Sequence, residues 1–338
     1  MNTHRTNHMR QLTFLIMSFV PFLFTACADN GIPIGDLRGQ VQGGAQRTAE
    51  LVFTARDPIV ALADNHRGVL YAATSTGDVY AVRDVNQAER LYRGLTTCQN
   101  SWTAFAVAKD GTLVANTCRG NQDVLITIDA EGKTTELARL ADRVTSLAAD
   151  SQGNIYIAAW QSEGNLSISL NPRSLAGAEF IIGRIYRLDQ SGKLERIFEG
   201  GIPVWITMNR QDALVASVWG GRGYFAPERR TYSYVDPYRS YWLALSDKVK
   251  LVNVTEGTPR FAGTMIDSMT LFVMPEQDYL IGYGIAGEQK GLFLVEENRP
   301  PIKLLFKEEG QDANITCLTL FNNVVYFGNA EGHVFRIK

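Results

Sequence analysis

Val144-Thr145-Ser146-Leu147-Ala148-Ala149-Asp150-Ser151-Gln152-Gly153-Asn154-Ile155-Tyr156-Ile157-Ala158 holds two apolar segments around a polar turn. Both segments are too short for helices and rich in small, β-branched or aromatic residues. Asp and Gly between them supply a turn, so the stretch reads as two antiparallel strands. Downstream, Gly183-Arg184-Ile185-Tyr186-Arg187-Leu188 reads as a third strand and Leu194–Gly200 as a fourth.

The same order recurs on both sides. Upstream, Ile59-Val60-Ala61-Leu62-Ala63 passes through Asp64-Asn65-His66-Arg67-Gly68 into Val69-Leu70-Tyr71-Ala72-Ala73, then Gly77-Asp78-Val79-Tyr80-Ala81-Val82. Further copies pass through Ala104 and Leu113-Val114-Ala115, Trp205 and Leu214-Val215-Ala216, Leu271 and Leu280-Ile281, and Cys317 and Val325-Tyr326-Phe327. Fourth strands are expected at Glu89–Leu95, Thr135–Leu140, Leu194–Gly200, Val249–Glu256 and Ile302–Glu309. Four short strands every 40–50 or so residues are the signature of a propeller blade. Such a sheet cannot cover both of its faces alone, and radial stacking covers them against its neighbours. The last copy ends at Lys338 after its third strand, while an unused strand, Ala49–Ala55, stands near the other end. The reading is therefore an all-β, six-bladed β-propeller over residues 49–338, closed by an N-terminal strand in the last blade.

The quoted repeat resembles NHL-type repeats and, more broadly, the gluconolactonases and streptogramin lyases. That resemblance implies the fold. It says little about activity, because propellers host binding, scaffolding and several chemistries. The lyases use histidine and glutamate, and no matching constellation is found. The lactonases hold a metal with Glu, Asn and Asp around the channel. Asp267 and Asn314 precede first strands, but no Glu joins them. Beyond the N-terminal segment only His66 and His333 remain, without metal-ligand spacing. No catalytic residue, metal ligand or cofactor site is assigned on these grounds.

Residues 1–26 carry Arg5, Arg10 and an apolar run from Leu12 to Phe24 that is short for a membrane span. The run ends in Phe24-Thr25-Ala26-Cys27, which resembles the bacterial lipobox with Phe in place of the usual Leu. The resemblance implies diacylglycerol on the Cys27 thiol and cleavage before it; an ordinary secretory signal cut near Ala26 or Ala28 is the alternative. Stable anchoring takes more than one acyl chain. Ala28 after Cys27 resembles outer-membrane sorting in Gram-negative bacteria, which places the protein in the cell envelope. The Gly-rich residues 27–48 read as a tether. The formal charge is −2 and no long basic run occurs, so nucleic acid is not an expected partner.

Of the four cysteines, Cys98 and Cys118 fall in loops that open on one face of a propeller. In an exported protein they are expected to form a disulfide, leaving Cys317 as a buried thiol. Two long insertions, Gln161–Ile182 and Gly220–Ser240, open on that same face after Trp160 and Trp219. The second is rich in Tyr and Arg, a composition typical of binding surfaces. Trp160, Trp219, Arg222, Tyr224, Arg230, Tyr232 and Tyr234 are thus the candidate binding residues, with packing of the loop onto the propeller as the rival explanation. The leading functional expectation is a non-catalytic, membrane-anchored module for an envelope protein or glycan. The alternative is a lactonase-like hydrolase or lyase with its site at the channel mouth.

Overall fold

The computed structural model describes residues 48–338, except 66, 100, 163–180, 201, 209–211, 213, 220–224, 227–230, 233–240, 246–251, 254–267, 274–278, 287–288, 297–301 and 305–313. The fold is an all-β propeller of four-stranded antiparallel sheets. Four sheets use consecutive strands, and in a fifth, the fourth below, the hairpin of Phe225–Ala226 and Thr231–Tyr232 lies between the second and third strands. In the first sheet the strands are Ile59–Asp64, Leu70–Thr74, Asp78–Asp84 and Gln87–Arg93; in the second, Phe105–Val107, Leu113–Arg119, Gln122–Ile128 and Thr134–Leu140. The third holds Arg143–Ala149, Ile155–Ser162, Ile181–Leu188 and Leu194–Gly200. The fourth holds Ile202–Met208, Leu214–Trp219, Tyr241–Leu245 and Val252–Asn253, and the fifth Ser268–Val273, Tyr279–Ala286, Gln289–Glu296 and Ile302–Lys303. A composite sheet joins the two ends of the chain: Ile315–Phe321, Val324–Asn329 and His333–Ile337 are flanked by Ala49–Thr54. In that last pair Ala49 lies opposite Ile337 and Thr54 opposite His333. Of the expected fourth strands Val249–Glu256 and Ile302–Glu309, Val252–Asn253 and Ile302–Lys303 are strands, and residues 249–251, 254–256 and 305–309 lie outside the described residues.

The polar turn of the quoted repeat shows why its residues recur. Asp150 Oδ1 accepts from the Asn154 amide at 2.8 Å, and Gly153 sits at φ +92°. No side chain is comfortable at that φ, and the carboxylate satisfies an amide that the strands leave over. The same device serves Asn65 with Gly68, Asp129 with Gly132, Asp189 with Gly192, and Asn329 with Gly332.

Apolar clusters lie between neighbouring sheets rather than within one. Leu113, Val124 and Ile126 of the second sheet pack with Ala73 and Val79 of the first. Phe327 and Phe335 of the composite sheet pack with Leu292 and Leu294 of the fifth. The composite sheet meets the first through Phe321, Val324 and Val334 against Leu62 and Leu70. The innermost strands are the first of each sheet, and each lies against the next; Ile315–Phe321 returns to Ile59–Asp64. No backbone ladder joins them, so hydroxyls do: Thr145 Oγ1 donates to the Pro203 carbonyl at 2.5 Å, and Ser146 Oγ accepts from the Ile206 amide at 3.1 Å. Thr316 Oγ1 donates to the Ile59 carbonyl in the same way. Among the described residues no helix is long and apolar enough to cross a membrane.

Candidate functional site

First strands of the first four sheets and of the composite sheet line an axial cavity of about 510 Å³. Its wall is mainly small and aliphatic, with Ala61, Ala104, Leu147, Ala148 and Ile206 among the lining residues. This follows from geometry: strands converge towards the axis, and only small side chains leave an opening. Thr103, Ser146, Thr207 and Thr319 add hydroxyls. Asp64 closes the first strand of its sheet and is half-buried; Asp212, Asn322 and Asn323 come from turns between first and second strands. Asn322 and Asn323 both adopt left-handed backbone, φ +50° and +62°, in the tight turn between Ile315–Phe321 and Val324–Asn329. Asp212 is engaged by the neighbouring sheet, accepting from the Ser151 amide at 2.9 Å and from the Ser151 hydroxyl.

A small residue is expected at the innermost position shared by the repeats, yet Trp205 occupies it in the fourth sheet. The first strand carries a bulge in five sheets, and the residue after it is Ala61, Ser146, Trp205, Leu271 or Cys317. Ala104 takes this place in the second sheet, where the Asn116 side chain accepts its amide at 2.9 Å. Trp205 is half-buried and lines the cavity. The signal that reveals it is internal: one repeat departs from the rest in size.

Of the candidate binding residues, Trp160 is only 5% exposed. It lies on Ile155–Ser162 with its backbone opposite Arg143 and Gly183, so it is a packed wall residue and not an exposed anchor. Trp219 holds the equivalent backbone position, opposite Ile202. Tyr232 pairs with Phe225 in a small hairpin inside the second insertion. Arg222, Tyr224, Arg230 and Tyr234 fall outside the described residues, as do Cys27 and His66.

Cys98 and Cys118 form a disulfide with Cα atoms 4.9 Å apart. Cys317 is buried with a free thiol, and burial pushes its pKa up to about 12, which keeps it protonated and inert. Beside the disulfide lies a buried polar group. Asp123 is fully buried and accepts from the Ser101 hydroxyl and, at 3.1 Å, from Asn116 Nδ2. Burial raises its pKa against the opposing effect of these bonds and of Arg143. A second group, Asp142 with Arg184 and Tyr186, is likewise closed on itself at 3.1 Å and 2.6 Å. Neither group lines the cavity; both link strands.

Among the described residues the lactonase-type metal set is not assembled. Asn314 is exposed, donates to Glu331 at 3.3 Å and does not line the cavity; Asp267 lies outside the described residues. Among the described residues no three His, Cys, Asp or Glu side chains gather closely enough to hold an ion.

No protein-family model and no curated protein sequence matches the chain. Solved structures do. A gluconolactonase from Xanthomonas campestris superposes with TM-score 0.59 and 13% identity, covering 90% of each chain. A streptogramin B lyase gives TM-score 0.51 and 10% identity over 86% of this chain and 97% of its own. A protein from Thermus thermophilus, described as an oxidoreductase of glucose dehydrogenase type, gives TM-score 0.53 and 12% identity over 86% and 100%. At these identities the likeness establishes the propeller fold. All three are described as enzymes, and this overturns the expectation of a non-catalytic binding or scaffold module, which had also counted the buried Trp160 as a surface anchor.

Proposed function

We propose that this protein is a propeller enzyme of lactonase-like hydrolase or lyase type, acting at the mouth of the axial cavity. The observation that carries this reading is the cavity itself, a pocket whose lining mixes aliphatic side chains with hydroxyls, carboxylates and amides, as small-molecule sites do. The enzymatic character of the similar structures supports it. Asp64 is the general base. Its carboxylate takes a proton from water as the water oxygen attacks a cyclic ester carbonyl. The ring C–O bond then breaks, and the same proton passes to the departing ring oxygen. Amides of Asn322 or Asn323 donate to the developing oxyanion. In a lyase the same base would instead remove a proton from carbon.

The test uses the chain from Ala28 onward, made under oxidising conditions, with a panel of neutral sugar lactones followed by acid release. Asp64→Asn should lower kcat/KM by about 100-fold, the usual worth of a general base, with unchanged melting temperature. Absence of both ring opening and elimination in the wild type would sink the proposal.

We also infer that the composite sheet counts as a sixth blade closed by Ala49–Thr54; the pairing of that strand with His333–Ile337 supports this. Export with a lipid on Cys27, and hence an envelope location, remains the best account of residues 1–27. An alkyne fatty acid should label the wild type and leave Cys27→Ser blank, and equal labelling of the two would refute the anchor.

A further inference from the structure

The second sheet has the shortest inner strand. Phe105–Val107 holds 3 residues, where the first strands of the other sheets hold 6 or 7. It is nevertheless a wall of the axial cavity, which Thr103, Ala104, Phe105, Ala106 and Val107 all line. Phe105, Ala106 and Val107 pair with Ala115, Val114 and Leu113; Thr103 and Ala104 lie before the ladder begins. Side chains hold this part of the wall instead. The Ala104 amide donates to Asn116 Oδ1 at 2.9 Å, and Asn116 Nδ2 donates to the Trp102 carbonyl at 2.9 Å and to the buried Asp123 at 3.1 Å. Asp123 also accepts from the Ser101 hydroxyl.

The disulfide stands at the root of this arrangement. Cys118 follows Asn116 by two residues on Leu113–Arg119, so both side chains leave the same face of the strand. On the other segment, the Ser101 amide donates to the Cys98 carbonyl at 3.0 Å, which ties the cystine directly to the stretch that enters the wall. The S–S bond thus closes a loop of contacts from Cys118 through Asn116 and Ala104 back to Cys98. The bonds of Thr96 to Thr117 and Cys118 lie on the far side of Cys98 from the cavity, so they do not hold the wall when the cross-link opens. Cys98 is buried and Cys118 half-buried, which leaves Cys118 as the end that a reductant meets.

We propose that Cys98–Cys118 is a redox switch on the cavity. Closed, it orders the wall Thr103–Val107; opened by a dithiol reductant, it loosens that wall and lowers activity. The effect on activity rests on the cavity being the active site, as proposed above. A thiolate of the dithiol attacks Cys118 Sγ, the S–S bond breaks, and Cys98 leaves as thiolate and takes up a proton. The second thiol of the reductant then attacks its own sulfur in the mixed disulfide and releases Cys118, which is protonated in turn. One disulfide is reduced, one dithiol is oxidised to a disulfide, and the protons come from the dithiol.

The deciding experiment reads the wall directly. Hydrogen exchange is followed by mass spectrometry on the chain from Ala28 onward, first oxidised and then equilibrated with dithiothreitol, with alkylation to confirm the thiol state. Amides of residues 103–107 should exchange about tenfold faster or more in the reduced protein, while those of Ile155–Ser162 keep their rate. Reoxidation should restore the slow wall. A Cys98→Ser/Cys118→Ser variant should show the fast wall with or without dithiothreitol; the wild-type comparison stands without it. Lactone turnover should fall severalfold in the reduced wild type and return on reoxidation. A wall that keeps its rate on reduction, or one that quickens only in step with Ile155–Ser162, overturns the switch and leaves a cross-link for stability alone. Turnover that is indifferent to reduction overturns it as well. A wall that loosens locally in a protein with no turnover in either state removes the proposed activity and leaves redox control of the cavity standing.

Discussion

Gly77 opens the Gly-x-apolar-aromatic motif, and the structure supplies the reason. Its φ is +86°, and a Cβ there would stand 1.9 Å from the Leu95 carbonyl oxygen. The Leu95 amide donates back to the Gly77 carbonyl at 3.1 Å, tying the outgoing strand to the turn. Gly332 repeats the arrangement with Ala55, whose amide donates to it at 2.8 Å. Gly68 has a similar φ of +84° with nothing within 4 Å. Gly77→Ala should therefore cost roughly 3 kcal/mol or more, and Gly68→Ala only about 1 kcal/mol for the backbone strain. Urea unfolding of both variants checks this; equal losses would show that the close approach at Gly77 does not matter. At this scale the glycine and its turn were readable from the repeat. Trp205 departs from Ala61, Ala104, Ser146 and Cys317 at the same place in their repeats, a signal that shows only when the copies are aligned with one another.

At the scale of elements, the disulfide fastens the connection entering the second sheet to the end of Leu113–Arg119. The Cys118 amide also donates to the Thr96 carbonyl at 2.7 Å, and Thr96 and Thr117 share a hydroxyl contact at 3.4 Å. The first strand of this sheet, Phe105–Val107, is short, and Asn116 substitutes for missing backbone pairing through Ala104 and Trp102. A short strand with side-chain substitutes is a weak point, and the cross-link compensates for it. With a sequence separation of 20, the chain-entropy model gives about 3 kcal/mol of stabilisation. A Cys98→Ser/Cys118→Ser double variant should unfold at correspondingly lower urea. Reductant should bring the wild type to the same midpoint and leave the variant unmoved; a wild type indifferent to reductant would contradict this. The pairing was legible because strand order assigns both loops to one face. The buried Asp123 next to it was not, since a carboxylate at the start of a strand ordinarily faces water.

At the scale of the whole molecule, Ala49–Thr54 is tied to His333–Ile337, far away in the chain. Beyond the ladder, the Lys338 amide donates to the Thr48 carbonyl at 2.9 Å, and Glu50 receives Arg336 at 2.5 Å and Lys338 at 3.1 Å. Arg336 is mostly covered, so this pair is worth more than an exposed one. Val52 and Phe53 enter the cluster that joins the composite sheet to the first. Deleting residues 49–55 removes hydrogen bonds, an ion pair and buried apolar surface at once, and it exposes a strand edge. The melting temperature should fall by about 10 °C or more, several kcal/mol at the usual few degrees each for a domain of this size. An unchanged value in differential scanning calorimetry would mean that the strand contributes nothing to closure.

The sequence by itself determined the strand pattern, the turns and the disulfide partners. Alternating apolar residues, Asp and Gly turns and the spacing of cysteines act locally or through strand order alone. Its leading functional reading did not survive. The Tyr- and Arg-rich insertion that pointed to a binding face lies mostly outside the described residues, while Trp160 is buried within a sheet. The axial cavity was decided only by the tertiary structure. Asp64, Ser146, Trp205 and Asn322 belong to four different sheets, and they meet because the sheets close radially. Which residue faces the axis depends on the bulge in each first strand and on the convergence of all of them, and no local stretch of chain encodes either.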